Sequence, residues 1–370
     1  MKINSKLLLK PEDFRPSVKN WIVKGILNPG AMRLPDNKIM LYVRVAESAG
    51  IEHEQLKKCP MITSSRKSKF KYIDVDGKNP LKIKENKIVL VKDVCDVKLS
   101  HISHFRRVIL GRNGFNIEKI EQKPIFSGTP ISSNLGVEDP RIVKMENRYF
   151  MTYVGVSLKN GISSYMATSK DLKNWEKKWM IFSEQDKDVV LFPEKINDKY
   201  IVMHRPETSF SNYKPGIWLS YSPDLIHWGE DKILMRPRKN SWEQERIGAG
   251  PPPIKTDKGW LCIYHGVKIK KKINEINGKE EEYSIYSAGA VLLDLKKPEK
   301  ILAISPKDKP LFEPSHEFEK VGFMNNVIFP TGIVETLDKK SVLLYCGGAD
   351  TNIVVKEIKI DDILKSLEWG

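Results

Sequence analysis

The sequence predicts an all-β fold, a five-bladed β-propeller, and two kinds of internal repetition predict it. First, five segments open on a polar turn and run into a short apolar strand. They are 36–44 (DNKIMLYVR), 146–154 (ENRYFMTYV), 197–205 (NDKYIVMHR), 257–265 (DKGWLCIYH) and 338–346 (DKKSVLLYC). Asn, Asp, Gly and Lys supply the turns, and Ile, Val, Leu and Tyr read as buried strand. Second, the pattern S-x-D-L-x-x-W occurs at 169–175 and again at 222–228. It predicts a tight turn capped by Asp, with Trp anchoring the strand that follows. Radial repetition of such units protects strand edges around a central channel.

Taken in order, the N-terminus (MKINSKLLLKPEDFRP) has three consecutive leucines before charge resumes. That is too short for a signal peptide or a membrane span, so a cytoplasmic location is expected. The charged stretch near 52–98 separates the first two units and reads as an insertion. A second insertion, 268–283 (KIKKKINEINGKEEEY), reads as an exposed hairpin or lid, with a functionless solvated loop the plainer alternative. Helical periodicity is scarce, and the closing IDDILKSLEWG is the best candidate for a short C-terminal helix. The whole chain, 1–370, is expected to be one domain.

The 370 residues carry a net charge of +15, mostly from lysine. A basic chain invites a nucleic-acid reading, but the lysines are scattered and no recognition motif is present. Neither nucleic acid nor membrane is expected as a partner, while a small anion such as phosphate fits. Cys59, Cys95, Cys262 and Cys346 form no CxxC pair and read as reduced, mostly buried thiols. His101 and His104 make an HxxH without accompanying Cys or acid, so no metal is expected. GAGPPP (248–253) lacks the GK[ST] of a phosphate-binding loop. There is no GxSxG, and no Ser/His/Asp set stands out.

Acid chemistry remains. NLGVEDPRI (134–142) places Glu138, Asp139 and Arg141 in a glycine-led turn. Read alone, it is either a solvated turn with a local ion pair or a tuned catalytic carboxylate. An inverting glycosidase needs an acid for the leaving oxygen and a base for water. A phosphorylase needs the acid and cations that hold phosphate. Arg44, Arg205 and His265 end three of the five repeated strands, where their side chains could converge.

The ordered series GVEDPRI, DVVLFPEKI, HRPE, IWLSYSPDLIHWG, RIGAGPPPI, YHGV and GGADT resembles the inverting β-mannoside phosphorylases of glycoside hydrolase family 130, from about 28 to 351. The family fold is a five-bladed propeller, in agreement with the repeat count. The resemblance implies that Asp139 is the general acid. It implies Lys187, Arg205, Arg246 and His265 as phosphate ligands, with Lys195 a weaker candidate. Lys187 stands where some relatives have Arg, and Arg246 where Lys is frequent, so the cation is kept at both. Asn28, Arg44, Glu138, Arg141 and Asp350 match sugar-subsite positions. The implied reaction takes a β-mannoside and inorganic phosphate as co-substrate to α-D-mannose 1-phosphate and a shortened sugar. It uses no cofactor, and Asp139 is expected to have a raised pKa. NPGA and RVAES favour β-1,2-mannobiose or β-1,2-oligomannan substrates. The alternatives are a β-1,4-mannooligosaccharide phosphorylase, an inverting β-mannosidase and a non-catalytic sugar-binding propeller. Linkage, acceptor and any homo-oligomeric state stay open.

Overall fold

The computed structural model describes residues 1–48, 58–63, 70–74, 81–84, 88–91, 96–207, 213–273, 278 and 280–370. Among the described residues it is nearly all β, with two short α-helices, Glu317–Lys320 and Ile360–Lys365. The second is the helix expected near the C-terminus. No helix among the described residues is long and apolar enough to cross a membrane.

The strands form antiparallel meanders. Ile22–Arg33, Ile39–Ser48, Ile102–Leu110 and Ile117–Ile120 make the first. Gly136–Met145, Arg148–Ser157, Gly161–Ser169 and Glu176–Phe182 make the second. A single parallel contact, Gly136 to Ser103, merges these two into one eight-stranded sheet. Asp186–Leu191, Tyr200–Pro206, Ile217–Ser222 and Gly229–Met235 follow as a four-stranded sheet. The next contains Arg246–Ala249, Trp260–Ile273, Glu280–Leu293 and Ile301–Ile304, with Glu368–Trp369 at its edge. In the last, Ile328–Glu335, Ser341–Gly348 and Asn352–Lys359 are completed by the N-terminal strand Ile3–Leu9.

All five turn-strand repeats fall on the second strand of a meander. These strands are apolar on both faces because each sheet packs against two others. Ile39–Ser48, for example, is buried at every position. The cores lie between successive sheets. Tyr42, Phe105, Met151 and Tyr165 fill the space between the first and second meanders. Val143, Met166 and Val202 join the second to the third, and Val190, Leu219, Trp260 and Tyr264 join the third to the fourth. Leu261, Leu292, Leu344 and Val354 join the fourth to the last, and Ile26, Val43, Leu343 and Val355 join the last to the first.

The two S-x-D-L-x-x-W segments fold alike, each linking the third and fourth strands of its meander. The Ser169 hydroxyl accepts from the amides of Asp171 and Leu172, and Asp171 accepts from those of Lys173 and Asn174. Ser222 and Asp224 repeat this with Asp224, Leu225, Ile226 and His227. The tryptophans do anchor, through different partners. Trp175 donates to the Tyr42 hydroxyl at 2.7 Å, and Trp228 to the Leu225 carbonyl at 3.0 Å. The fourth meander has a reduced copy, in which Asp294 caps Lys296 and Lys297 without the serine or the tryptophan.

The charged stretch 268–283 is indeed a hairpin, paired from Lys268–Ile285 to Ile273–Glu280. The stretch 52–98 lies partly outside the described residues. What is described of it is a two-stranded sheet and a three-stranded sheet. Cys262 and Cys346 are free and buried, while the side chains of Cys59 and Cys95 lie outside the described part.

Candidate active site

The first strand Gly136–Met145 lies against Ile22–Arg33 and Asp186–Leu191, Asp186–Leu191 against Arg246–Ala249, and Ile328–Glu335 against Ile22–Arg33, and most of these first strands carry a β-bulge. Register shifts occur between Leu27 and Gly30, Glu138 and Arg141, Lys187 and Val190, and Pro330 and Gly332. A bulge re-aims a side chain out of the strand alternation. At three of these bulges a polar residue takes the left-handed region: Asn28 (φ 41), Asp139 (φ 51) and Asp188 (φ 55). Such backbone strain persists where surrounding structure enforces it. All three residues line one cavity of about 320 Å³.

Of the residues singled out in the sequence, Asn28, Arg44, Glu138, Asp139, Lys187, Arg205, Arg246, His265 and Asp350 line this cavity. Lys195 does not. Arg141 does not either: it is 2% exposed and sits behind the wall. Its Nη1 donates to the Asp139 carbonyl at 2.8 Å and its Nη2 to Asp188 Oδ1 at 3.3 Å. The local Asp139–Arg141 pair is therefore made through the backbone rather than between side chains.

Arg44 holds the acidic pair. Its Nη1 lies 3.0 Å from Asp139 Oδ1, its Nη2 2.6 Å from Glu138 Oε1, and its Nε donates to Ser103 Oγ at 3.1 Å. Asn28 Nδ2 donates to Asp139 Oδ1 at 2.9 Å. Lys187 Nζ is 3.6 Å from the other oxygen of Glu138. Burial pushes the Asp139 carboxyl up, but Arg44, Arg141, Lys187 and the Asn28 hydrogen bond together outweigh it. Its pKa is thus held below the ordinary carboxylate range, which corrects the expectation of a raised value. Glu138 is also held down, as Arg44 and Lys187 outweigh its burial.

A second ionic cluster centres on Asp188. Arg205 Nε donates to Oδ2 at 2.8 Å, and His265 Nε2 stands 3.8 Å from the same oxygen. Arg205 Nη1 also pairs with Glu207 at 2.6 Å. Burial, with Arg205, Arg246 and Arg141 nearby, pushes His265 down to about 3 despite Asp188. His265 is a neutral donor or acceptor at neutral pH, not a cation. Its ring packs 4.3 Å from that of Phe329. Arg246 hydrogen-bonds the Tyr286 hydroxyl. Arg141 bridges the two clusters.

Among the described residues, five cations (Lys24, Arg44, Lys187, Arg205, Arg246) and five acids (Glu138, Asp139, Asp188, Glu207, Asp350) line the cavity. Cations and acids are therefore matched in number rather than the cations being in excess. Buried cations need counter-charges of their own, since an unpaired buried charge costs several kcal/mol. Asp188, Glu207, Tyr286 and Phe329 escaped the sequence reading. Asp188 opens the DVVLFPEKI series, where the adjoining Lys187 carries the phosphate expectation. Tyr286 sits in an apolar run with no local signal.

Behind this wall His204 Nδ1 meets Asp186 Oδ2 at 2.7 Å, and Ser220 Oγ meets His204 Nε2 at 2.9 Å. This Asp-His-Ser chain was not visible in the sequence. It does not line the cavity, Ser220 is fully buried, and the Ser220 hydroxyl also hydrogen-bonds Asp231. It braces the strands carrying Lys187 and Arg205 rather than supplying a nucleophile. No group of three or more His, Cys, Asp or Glu among the described residues is arranged to hold a metal ion.

The chain's similarities to known proteins are consistent and long. The model of glycoside hydrolase family 130, described as beta-1,4-mannooligosaccharide phosphorylase, matches residues 96–369. The chain is 38% identical over 256 residues to a 1,2-beta-oligomannan phosphorylase of Thermoanaerobacter sp. (strain X514), covering 69% of this chain and 78% of that one. It is 31% identical over 368 residues to a beta-1,2-mannobiose phosphorylase of Listeria innocua, covering 98% and 96%. The solved structure of the Listeria innocua beta-1,2-mannobiose phosphorylase with beta-1,2-mannobiose superposes with a TM-score of 0.84 at 29% identity over 99% of both chains.

Proposed function

The chain belongs to glycoside hydrolase family 130, and from that premise we propose that it is an inverting phosphorylase of β-mannosides, with β-1,2-mannobiose or β-1,2-oligomannan as substrate. The products are α-D-mannose 1-phosphate and the shortened sugar. The carrying observation is that Asp139 shares one cavity with Lys187, Arg205, Arg246 and His265, and that Arg141 ties the two groups together.

In this reading Asp139 donates a proton to the departing glycosidic oxygen. Phosphate, held by Arg205, Arg246, Lys187 and the neutral His265, attacks the opposite face of the anomeric carbon. Asn28, Arg44, Glu138 and Asp350 hold the mannosyl unit. The arriving phosphate is an anion, and an anion near a carboxyl raises its pKa. Phosphate thus offsets the cations that hold Asp139 down and favours the protonated acid that catalysis requires. Glu138, Asp188 and Glu207 are each ion-paired, which argues against a free base for water. The step draws on phosphate as co-substrate and on no other group. The meanders with cores between each successive pair support one closed five-bladed propeller spanning 1–370.

A second reading, a β-1,4-mannooligosaccharide phosphorylase, has the description of the matching family model in its favour. Both are tested by incubating the protein with β-1,2- and β-1,4-mannobiose, with and without phosphate. Phosphate-dependent mannose 1-phosphate from the β-1,2 isomer is expected. The same product only from the β-1,4 isomer selects the second reading, and equal release of free mannose without phosphate rejects both.

A further inference from the structure

The wall assigned to phosphate contains a group of the wrong sign. Asp188 stands among Arg205, Arg141 and His265, 1% exposed, and yet lines the cavity. Its two hydrogen bonds, from Arg205 Nε to Oδ2 and from Arg141 Nη2 to Oδ1, engage one site on each oxygen. A carboxylate has about four acceptor sites, so capacity remains. Gly248 packs directly against it. A Cβ there would stand 2.2 Å from Asp188 Oδ2 and 2.4 Å from His265 Cε1. Burial pushes the carboxyl up, but the charges of Arg205, Arg141 and Lys187 together hold it well below the ordinary range. An ionised carboxylate only accepts hydrogen bonds.

We propose that Asp188 selects the anion: it accepts a hydrogen bond from the P–OH of hydrogen phosphate and rejects sulfate, which has no proton to offer. This rests on the reading that phosphate binds beside Arg205, Arg246 and His265. Sulfate and hydrogen phosphate are both tetrahedral dianions of similar size, so the cations alone distinguish them poorly. Against Asp188, sulfate sets oxygen lone pairs against an ionised oxygen. Hydrogen phosphate sets a donor there, and so does hydrogen arsenate. The proton stays in place through the reaction. An unprotonated phosphate oxygen forms the bond to the anomeric carbon. The electron pair of the broken glycosidic bond goes to the leaving oxygen, which takes the proton of Asp139. The sugar phosphate forms as the monoanion, its P–OH still on Asp188.

The test measures phosphorolysis by the full-length protein with sulfate as competitor of phosphate and with arsenate as alternative co-substrate. In the wild type the inhibition constant for sulfate should exceed the KM for arsenate by at least about thirtyfold, the scale set by an unmatched buried charged acceptor. In Asp188→Asn, whose amide can donate, sulfate should inhibit at least about tenfold more strongly and the KM for phosphate should rise. Wild-type enzyme inhibited by sulfate in the arsenate concentration range overturns the proposal, whether or not the variant folds. So does a folded variant with an unchanged sulfate-to-arsenate ratio. Mannose release that needs neither anion overturns the phosphorylase reading instead.

Discussion

Arg44 holds Asp139 from a strand of the neighbouring meander, with Nη1 3.0 Å from Oδ1, while its second amino group takes Glu138 at 2.6 Å. One planar fork thereby spans two adjacent carboxylates, which a point charge cannot do. Arg44→Gln should lower kcat/KM by about a hundredfold, the scale of losing such a contact at a reacting group. A general acid works only while protonated, and removing a cation raises its pKa. The alkaline limb of the pH profile should therefore move to higher pH. A limb that stays in place would assign it to a different group.

Asp139→Asn removes the transferable proton but keeps the shape. Turnover of β-mannobiose should fall by about 10²- to 10⁴-fold, the usual contribution of general acid catalysis. An aryl β-mannoside with an acidic leaving group needs no such proton and should lose far less. Equal losses on both substrates would take the acid role away from Asp139.

Arg205 and Arg246 should separate binding from stability. Arg205 is 5% exposed and pairs with Asp188 and Glu207. Arg205→Met strips a buried ion pair and should cost about 3–5 kcal/mol in urea unfolding. Arg246 is half-buried and hydrogen-bonds Tyr286, so Arg246→Met should cost about 1 kcal/mol or less. Both should raise the KM for phosphate. If Arg246→Met leaves that KM unchanged, Arg246 does not touch the anion.

Burial holds His104 well below, and His265 down at about 3, against an ordinary imidazole value of 6.5. Between those values the unfolded chain binds more protons than the folded one. Stability therefore falls as pH drops below about 6.5 and continues to fall toward about 3. Thermal midpoints measured from pH 7.5 to 4.5 should decline over this window. The decline should be shallower in His265→Gln, and an identical slope in that variant would contradict the assignment.

The turn at 222–228 is remote from the chemistry. Asp224→Ala removes acceptors for the amides of Ile226 and His227 and should lower the thermal midpoint with kcat/KM unchanged. A change in kcat/KM would tie this turn to the site.

The repeats were readable because a second strand buried on both faces must be apolar, and the turn before it must be polar. That rhythm placed Arg44, Arg205 and His265 at equivalent positions, and all three reach the cavity. Cys346, at the same position of the last repeat, falls into the core instead. The electrostatics were not readable. Asp139 was expected to be raised because the resemblance gives it the role of general acid. The groups that hold it down are Arg44 and Asn28, 95 and 111 residues away along the chain. Arg141 misled for the opposite reason. It is close in sequence, but the bulge between Glu138 and Arg141 turns its guanidinium behind the wall. Asp188 was invisible as a hub because Arg141, one of its partners, is 47 residues distant.

Ile3–Leu9 pairs with Asn352–Lys359, which has a consequence for biosynthesis. The strand is synthesised long before its hydrogen-bonding partner is made. Until then both the strand and the apolar surface of Leu343 and Val355 that completes its layer lack each other. Joining such distant segments is slow, because closing the loop costs entropy before any contact forms. Until that partner is made, the nascent strand is an open edge available to other chains.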